Sequence, residues 1–85
     1  MNVQAATISL HGNAFAVVLV PMELVNAPGE ADMAIDALKP RFGGAPVVLM
    51  AQRDDGTPRY YGDEHLVHSL EGVPVDEMPW KDYPG

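Results

Sequence analysis

The sequence predicts an α/β domain of the α+β kind, a two-layer sandwich in the order ββαββα with a four-stranded mixed sheet and two helices. Three observations carry that reading. Two apolar runs of strand length, Ala14 to Val20 and Pro46 to Ala51, stand on either side of a segment with helical spacing that meets Pro40. A strand, a helix and a strand joined by short loops give a parallel pair with a right-handed crossover. The third observation is what flanks this unit: turn-forming residues at His11-Gly12-Asn13 and Asp54-Asp55-Gly56, each leading to a further strand-like run.

In chain order, Val3 to Leu10 alternates loosely and, with the turn at 11 to 13, forms a β-hairpin with Ala14 to Val20. That second strand places Phe15, Val17 and Leu19 on one face and Ala14, Ala16, Val18 and Val20 on the other. Both faces are apolar, so the strand belongs in the middle of a sheet that is covered twice. Pro21 to Asn26 is a connection. A helix then opens at Pro28-Gly29-Glu30, with either Pro28 at its first position or Gly29 as its cap. Ala31, Ala34, Ile35 and Leu38 recur at helical spacing and form its buried stripe, while Asp32, Asp36 and Lys39 form the wet side. Pro40 stops the helix, because its ring disfavours helical backbone in the residue before it and removes a donor. Residues 41 to 45 are read as a loop, and Pro46 to Gln52 as the second central strand.

After the turn at 54 to 56, Thr57 to Tyr61 returns antiparallel, and Pro58 assigns it to a sheet edge because proline cannot donate to a ladder. Gly62 breaks this strand, and Asp63 caps a second helix that runs to Glu71 or Gly72 with Leu66, Val67 and Leu70 inward. Both helices are expected on one face. Residues 73 to 85 carry three prolines together with Val75, Met78, Trp80 and Tyr83. Such a tail is extended, yet too apolar to stay in water, and is expected to pack on the sheet or on a neighbouring subunit. A homodimer is one way of closing the second face.

At 85 residues the chain is a single domain, residues 1 to 85, with its core in 3 to 72. A domain of this size buries only about 60 to 65% of the surface that its unfolded chain exposes. With no cysteine, disulfides, zinc fingers of the common kinds, thiol catalysis and iron–sulfur ligation are all excluded. Twelve acidic residues against five basic ones give a formal charge of −7, which opposes contact with nucleic-acid phosphates and with anionic membrane surfaces. A hydrophobic content of 47% opposes disorder. No basic residue precedes the apolar run at 14 to 20, as a secretory signal would require, and the run is far shorter than the ~20 residues of a membrane span. A cytoplasmic location is the expectation.

The only metal-capable cluster is Asp63-Glu64-His65-Leu66-Val67-His68, where Glu64, His68 and Glu71 share one helical face. That face points away from Leu66 and Leu70, so it is read as solvated surface, and no metal ligand is assigned. His11 is a turn residue. Ser9 and Ser69 lack a nucleophile elbow, and Gly43-Gly44 leads into a strand with no Gly-Lys-Ser/Thr behind it. No catalytic residue and no cofactor are assigned, and the residues point away from an enzyme.

Two candidate sites remain. Ligands of open α/β sheets gather beyond the carboxyl ends of parallel strands, which here brings Glu23, Asn26 and Arg53 forward as the polar groups of a small-ligand pocket. Arg59, Tyr60 and Tyr61 on the edge strand, with Trp80 and Tyr83 in the tail, are of the types enriched at protein interfaces. They make recognition of a protein partner the leading functional expectation, with a small ligand-binding protein or enzyme, its site at the carboxyl ends of the parallel strands, as the alternative. An acidic decoy of nucleic acid is weaker, because the acids are spread along the chain.

The stretch from Ala45 to Gly72, with Pro46 opening a strand, Asp55-Gly56 at the turn and Tyr61-Gly62 ahead of a helix, resembles the closing strand, strand and helix of thioredoxin-like domains. The resemblance implies a thioredoxin-like arrangement as an alternative topology. It implies no redox activity, because the cysteine pair typical of that family is absent.

Overall fold

The computed structural model describes residues 2–84, with side chains from 3 to 83. Met1 and Gly85, the ends of the expected domain, lie outside the described residues. The first element, β1 (Asn2–Leu10), pairs antiparallel with β2 (Asn13–Leu19) in the expected hairpin. His11 and Gly12 both take positive φ, 51° and 81°. A two-residue hairpin loop of this kind matches the strand twist and requires left-handed backbone at both positions. Glycine meets that requirement freely, whereas histidine is strained there.

The connection from β2 holds more structure than its sequence suggests. Met22–Val25 forms one helical turn, α1, seated on Val25, which is fully buried. Then α2 (Pro28–Leu38) begins with Pro28 at its first position and Ala27 as cap, which decides between the two starts open to the sequence. Ala31 is buried, and Ala34, Ile35 and Leu38 are half-buried beside it, as the spacing predicts.

Pro40 does not end the helical path outright. Backbone narrows to a 3-10 turn over Lys39–Phe42, with Pro40 near its start where a missing N–H costs nothing. Gly43, at φ 67°, closes it, and the N–H of Gly44 reaches the Lys39 carbonyl at 2.9 Å. So Arg41 and Phe42 belong to a turn of helix, where a loop was expected over 41 to 45.

Next, β3 (Val47–Gln52) lies parallel to β2, with Ala16 opposite Val47 and Leu19 opposite Met50. Every residue from Val47 to Ala51 is buried. The pairing of two apolar strands as central parallel neighbours is therefore as the sequence predicts. A turn leads to β4 (Pro58–Tyr61), antiparallel to β3 at a sheet edge. Gly62 follows, where a Cβ would meet the Val48 backbone and side chain at 3.3 Å, so a side chain there would require Val48 to shift by a few tenths of an ångström. The next element, α3 (Glu64–Leu70), is capped by Asp63, whose side chain accepts from the His65 N–H at 2.9 Å.

Two expectations about the architecture need correction. The sheet has five strands, in the order β4-β3-β2-β1-β5, because the tail supplies β5 (Trp80–Pro84) along the free edge of β1. And the helices lie on opposite faces, so the domain has three layers where two were expected. Val25 of α1 and Ala31 of α2 pack with Ala5, Ala16, Val18, Leu49 and Ala51. On the other side Leu66 and Leu70 of α3, with Met78, pack against Ala6, Phe15, Val17, Val48 and Met50. The sequence could have indicated this, since neither face of β2 carries a polar side chain from Phe15 onward. Residues 45 to 72 run strand, strand and helix, an order too general to bear on the thioredoxin-like alternative. The fold class, mixed α and β, stands. The second face is covered within the chain by α3 and Met78, so no second subunit is needed to close it.

Candidate functional site

An apolar groove of about 690 Å³ lies between β4 and the segment that follows α3. One wall is Arg53, Pro58, Arg59 and Tyr60; the other is Val67, Leu70 and Glu71, then Gly72 to Val75. Gly72, at φ 85°, turns the chain out of α3 and sends Val73 and the extended Pro74 along the groove ahead of a 3-10 turn over Val75–Glu77. A smaller concavity on the same side shares Tyr60 and Val67 with it.

Pairing geometry sets the β4 wall. The Arg53 N–H donates to the Thr57 carbonyl at 2.8 Å, so 53 and 57 form a hydrogen-bonded pair, and alternation makes Gln52–Pro58 and Met50–Tyr60 the non-bonded pairs. Pro58 thus stands where its missing donor would have faced outward, and the N–H and C=O of Tyr60 point away from the sheet. Arg53 closes part of this edge, its Nη1 donating to the Pro58 carbonyl at 3.0 Å. Thr57 Oγ1 sits between two charges, donating to Asp55 Oδ1 at 2.6 Å and accepting from Arg53 Nη1 at 3.4 Å. The same carboxylate accepts from the Thr57 N–H at 3.0 Å. These bonds to Thr57, and secondarily the Arg53 charge, hold the Asp55 carboxyl below its ordinary pKa.

The two tyrosines of β4 point to opposite faces, as strand alternation requires, and both are half-buried. Tyr61 packs on the α2 side, with its hydroxyl 3.0 Å from Asp32 Oδ1 and 3.3 Å from the Pro28 carbonyl. That bond to Asp32, with burial second, raises its pKa. Tyr60 packs on the α3 side. Its hydroxyl is buried and has no partner among the described residues, and burial raises its pKa.

The structure brings some of the expected site residues together and separates others. Arg59 and Tyr60 share the groove with Arg53. Trp80 and Tyr83 are on β5, at the opposite edge of the sheet from Tyr60 and Tyr61. Both are engaged within the chain: Trp80 Nε1 donates to the Val75 carbonyl at 2.8 Å, and Tyr83 meets Phe42 edge to face at 5.2 Å between centroids. Glu23 is exposed on α1, and Asn26 ends that helix with its N–H on the Met22 carbonyl at 3.1 Å. Neither lines the groove that Arg53 lines. The sequence did not mark the second wall, Val67 and 70 to 75. Gly72-Val73-Pro74-Val75 was the available signal, a chain reversal followed by stiff apolar backbone.

A second concavity, about 650 Å³ between α2 and the start of α3, has Asp32, Asp36, Lys39 and Asp63 in its lining. Lys39 Nζ lies 3.7 Å from Asp36 Oδ1. Among the described residues no group of three or more His, Asp or Glu side chains comes together to hold a metal. His68 and Glu71 form an exposed pair at 3.5 Å, Ser69 Oγ donates to the His65 carbonyl at 2.9 Å, and His11 is exposed in its turn. No helix among the described residues is long and apolar enough to cross a membrane. Comparison with known proteins finds no matching family model, no matching curated protein and no matching solved structure.

Proposed function

We propose that this chain is a protein-interaction module whose recognition surface is the groove between β4 and the segment after α3. One observation carries the reading: the groove adjoins a strand edge on which the N–H and C=O of Tyr60 face outward, so apolar side-chain contact and backbone pairing are offered side by side. Its volume lies within the range of specific binding sites, but it is an open trough, which suits a chain segment laid along it better than a small molecule enclosed in it. Trp80 and Tyr83 are committed to their own chain, Tyr83 packing with the α1–α2 cluster and Trp80 with the α3 cluster. Glu23 and Asn26 drop from this reading, and Arg53 keeps a place in it as a groove wall.

Selection of random peptides on the immobilised protein, followed by amide NMR of the winners, is the test. Recovered peptides are expected to shift signals of residues 58 to 60 and 70 to 75. Peptides that shift only other signals, or a selection that recovers none, would overturn the proposal.

A further inference from the structure

Resting on that reading, we infer that the partner segment is an extended peptide in which large apolar side chains alternate with carboxylates. Charge distribution is the reason. The chain carries a formal −7 and five basic residues, yet two of those five, Arg53 and Arg59, line this one groove. Of the acids nearby, Asp55 accepts both the N–H and the hydroxyl of Thr57, and Glu71, exposed on the far wall, lies 3.5 Å from His68. Arg59 has no ion pair or side-chain hydrogen bond among the described residues. Arg53 is held by the Pro58 carbonyl through one nitrogen, which fixes the guanidinium at the rim and leaves its other N–H groups for a carboxylate. The half-buried Val67, Val73 and Val75 between these walls, over the buried Leu70, take the apolar side chains.

An acidic partner for an acidic protein is electrostatically reasonable under these conditions. At physiological salt the Debye length is about 8 Å, so repulsion from acids across the molecule is screened while contacts at the rim are not. Backbone pairing is short, because Pro58 has no donor and its carbonyl is taken by Arg53. The side chains must therefore supply most of the selectivity.

The test uses four probes against the whole chain: labelled hexapeptides of alternating Leu and Glu, Leu and Gln, or Leu and Lys, and decanoate as a small amphiphilic carboxylate. Anisotropy and amide NMR are the readouts. The Leu–Glu peptide is expected to shift signals at 58 to 60 and 70 to 75 and to bind at least about ten-fold more tightly than the other two peptides. Arg59→Gln, an exposed change that leaves the fold intact by its circular dichroism, should reduce that preference to about three-fold or less. If the three peptides bind the groove equally, or the lysine peptide binds best, the acidic chemistry is wrong and the interaction reading stands. If no peptide shifts those signals, both fall. Decanoate binding the groove where the peptides do not would replace both with a small-ligand site.

Discussion

The two faces of the sheet are built from different materials. On the α1–α2 face the strands present Ala5, Ala16 and Ala51 among valines and Leu49, and the helix meets them through Ala31, so backbone approaches backbone closely. The α3 face presents Phe15, Val17, Val48 and Met50, and its cover is a seven-residue helix with an irregular tail. Their polar groups differ in the same sense. Tyr61, on the first face, has its hydroxyl on Asp32; Tyr60, one residue earlier and on the second, has a buried hydroxyl without a partner. Small residues and a long helix close a surface tightly. Large residues under a short helix leave an apolar trough beside an unsatisfied donor, which is where a partner can gain the most.

The largest expected effect sets one face against the other by size. Phe15→Ala removes the largest side chain that is fully buried and should cost about 3 to 5 kcal/mol in chemical denaturation. Ala31→Leu overfills the opposite face and should cost about 1 to 3 kcal/mol. If Ala31→Leu proves neutral, the first face has slack and the contrast drawn here is wrong.

The tyrosine pair sharpens the contrast at lower energy. Tyr61→Phe should destabilise by about 0.5 to 1.5 kcal/mol, because it deletes a hydrogen bond to Asp32. Tyr60→Phe should be neutral or stabilising, since it removes a hydroxyl whose burial is uncompensated in the free protein. Equal losses at both positions would mean that the Tyr60 hydroxyl has a partner after all. His11→Gly, away from either face, should stabilise by about 0.5 to 1 kcal/mol in the same assay by relieving the left-handed backbone at φ 51°.

Much of the fold was legible for one physical reason. Uncharged runs such as Ala14 to Val20 and Val47 to Ala51 can only be central strands, and Pro58 can only be at an edge. Asp63 reads as a cap because its carboxylate meets a free N–H wherever a helix starts. The tail was legible only in part: Val75, Met78 and Trp80 require burial, but nothing local says that Trp80 to Pro84 pairs with β1, since strand pairing is set by which edge is open. The same holds for the site. Arg59 and Tyr60 were visible as an edge motif, whereas the wall opposite them depends on where Gly72 sends the chain. Joining Tyr60 and Trp80 in one surface failed because a sheet has two edges.

The smallest expected effect concerns the turn that leads into β4 and sets the Arg53 side of the groove. The Asp55 carboxyl has its pKa lowered by the bonds from Thr57, so the unfolded chain binds its proton more readily than the folded one. The contribution to stability is therefore present above the ordinary pKa of 3.8 and is lost as pH falls through the lower folded value. Asp55→Asn should flatten the acid limb of a stability-versus-pH curve slightly, with no change near neutrality that exceeds a surface substitution. Its structural consequence is one-sided. Thr57 would lose its charged acceptor, Arg53 would be held less firmly against the Pro58 carbonyl, and amide signals at 58 to 60 and 72 to 75 should broaden or move. Those of α2, fixed through Tyr61 and Asp32, should stay in place. Movement on both sides alike would show that the two faces are coupled through β4 and that the trough is not independent of the helix behind it.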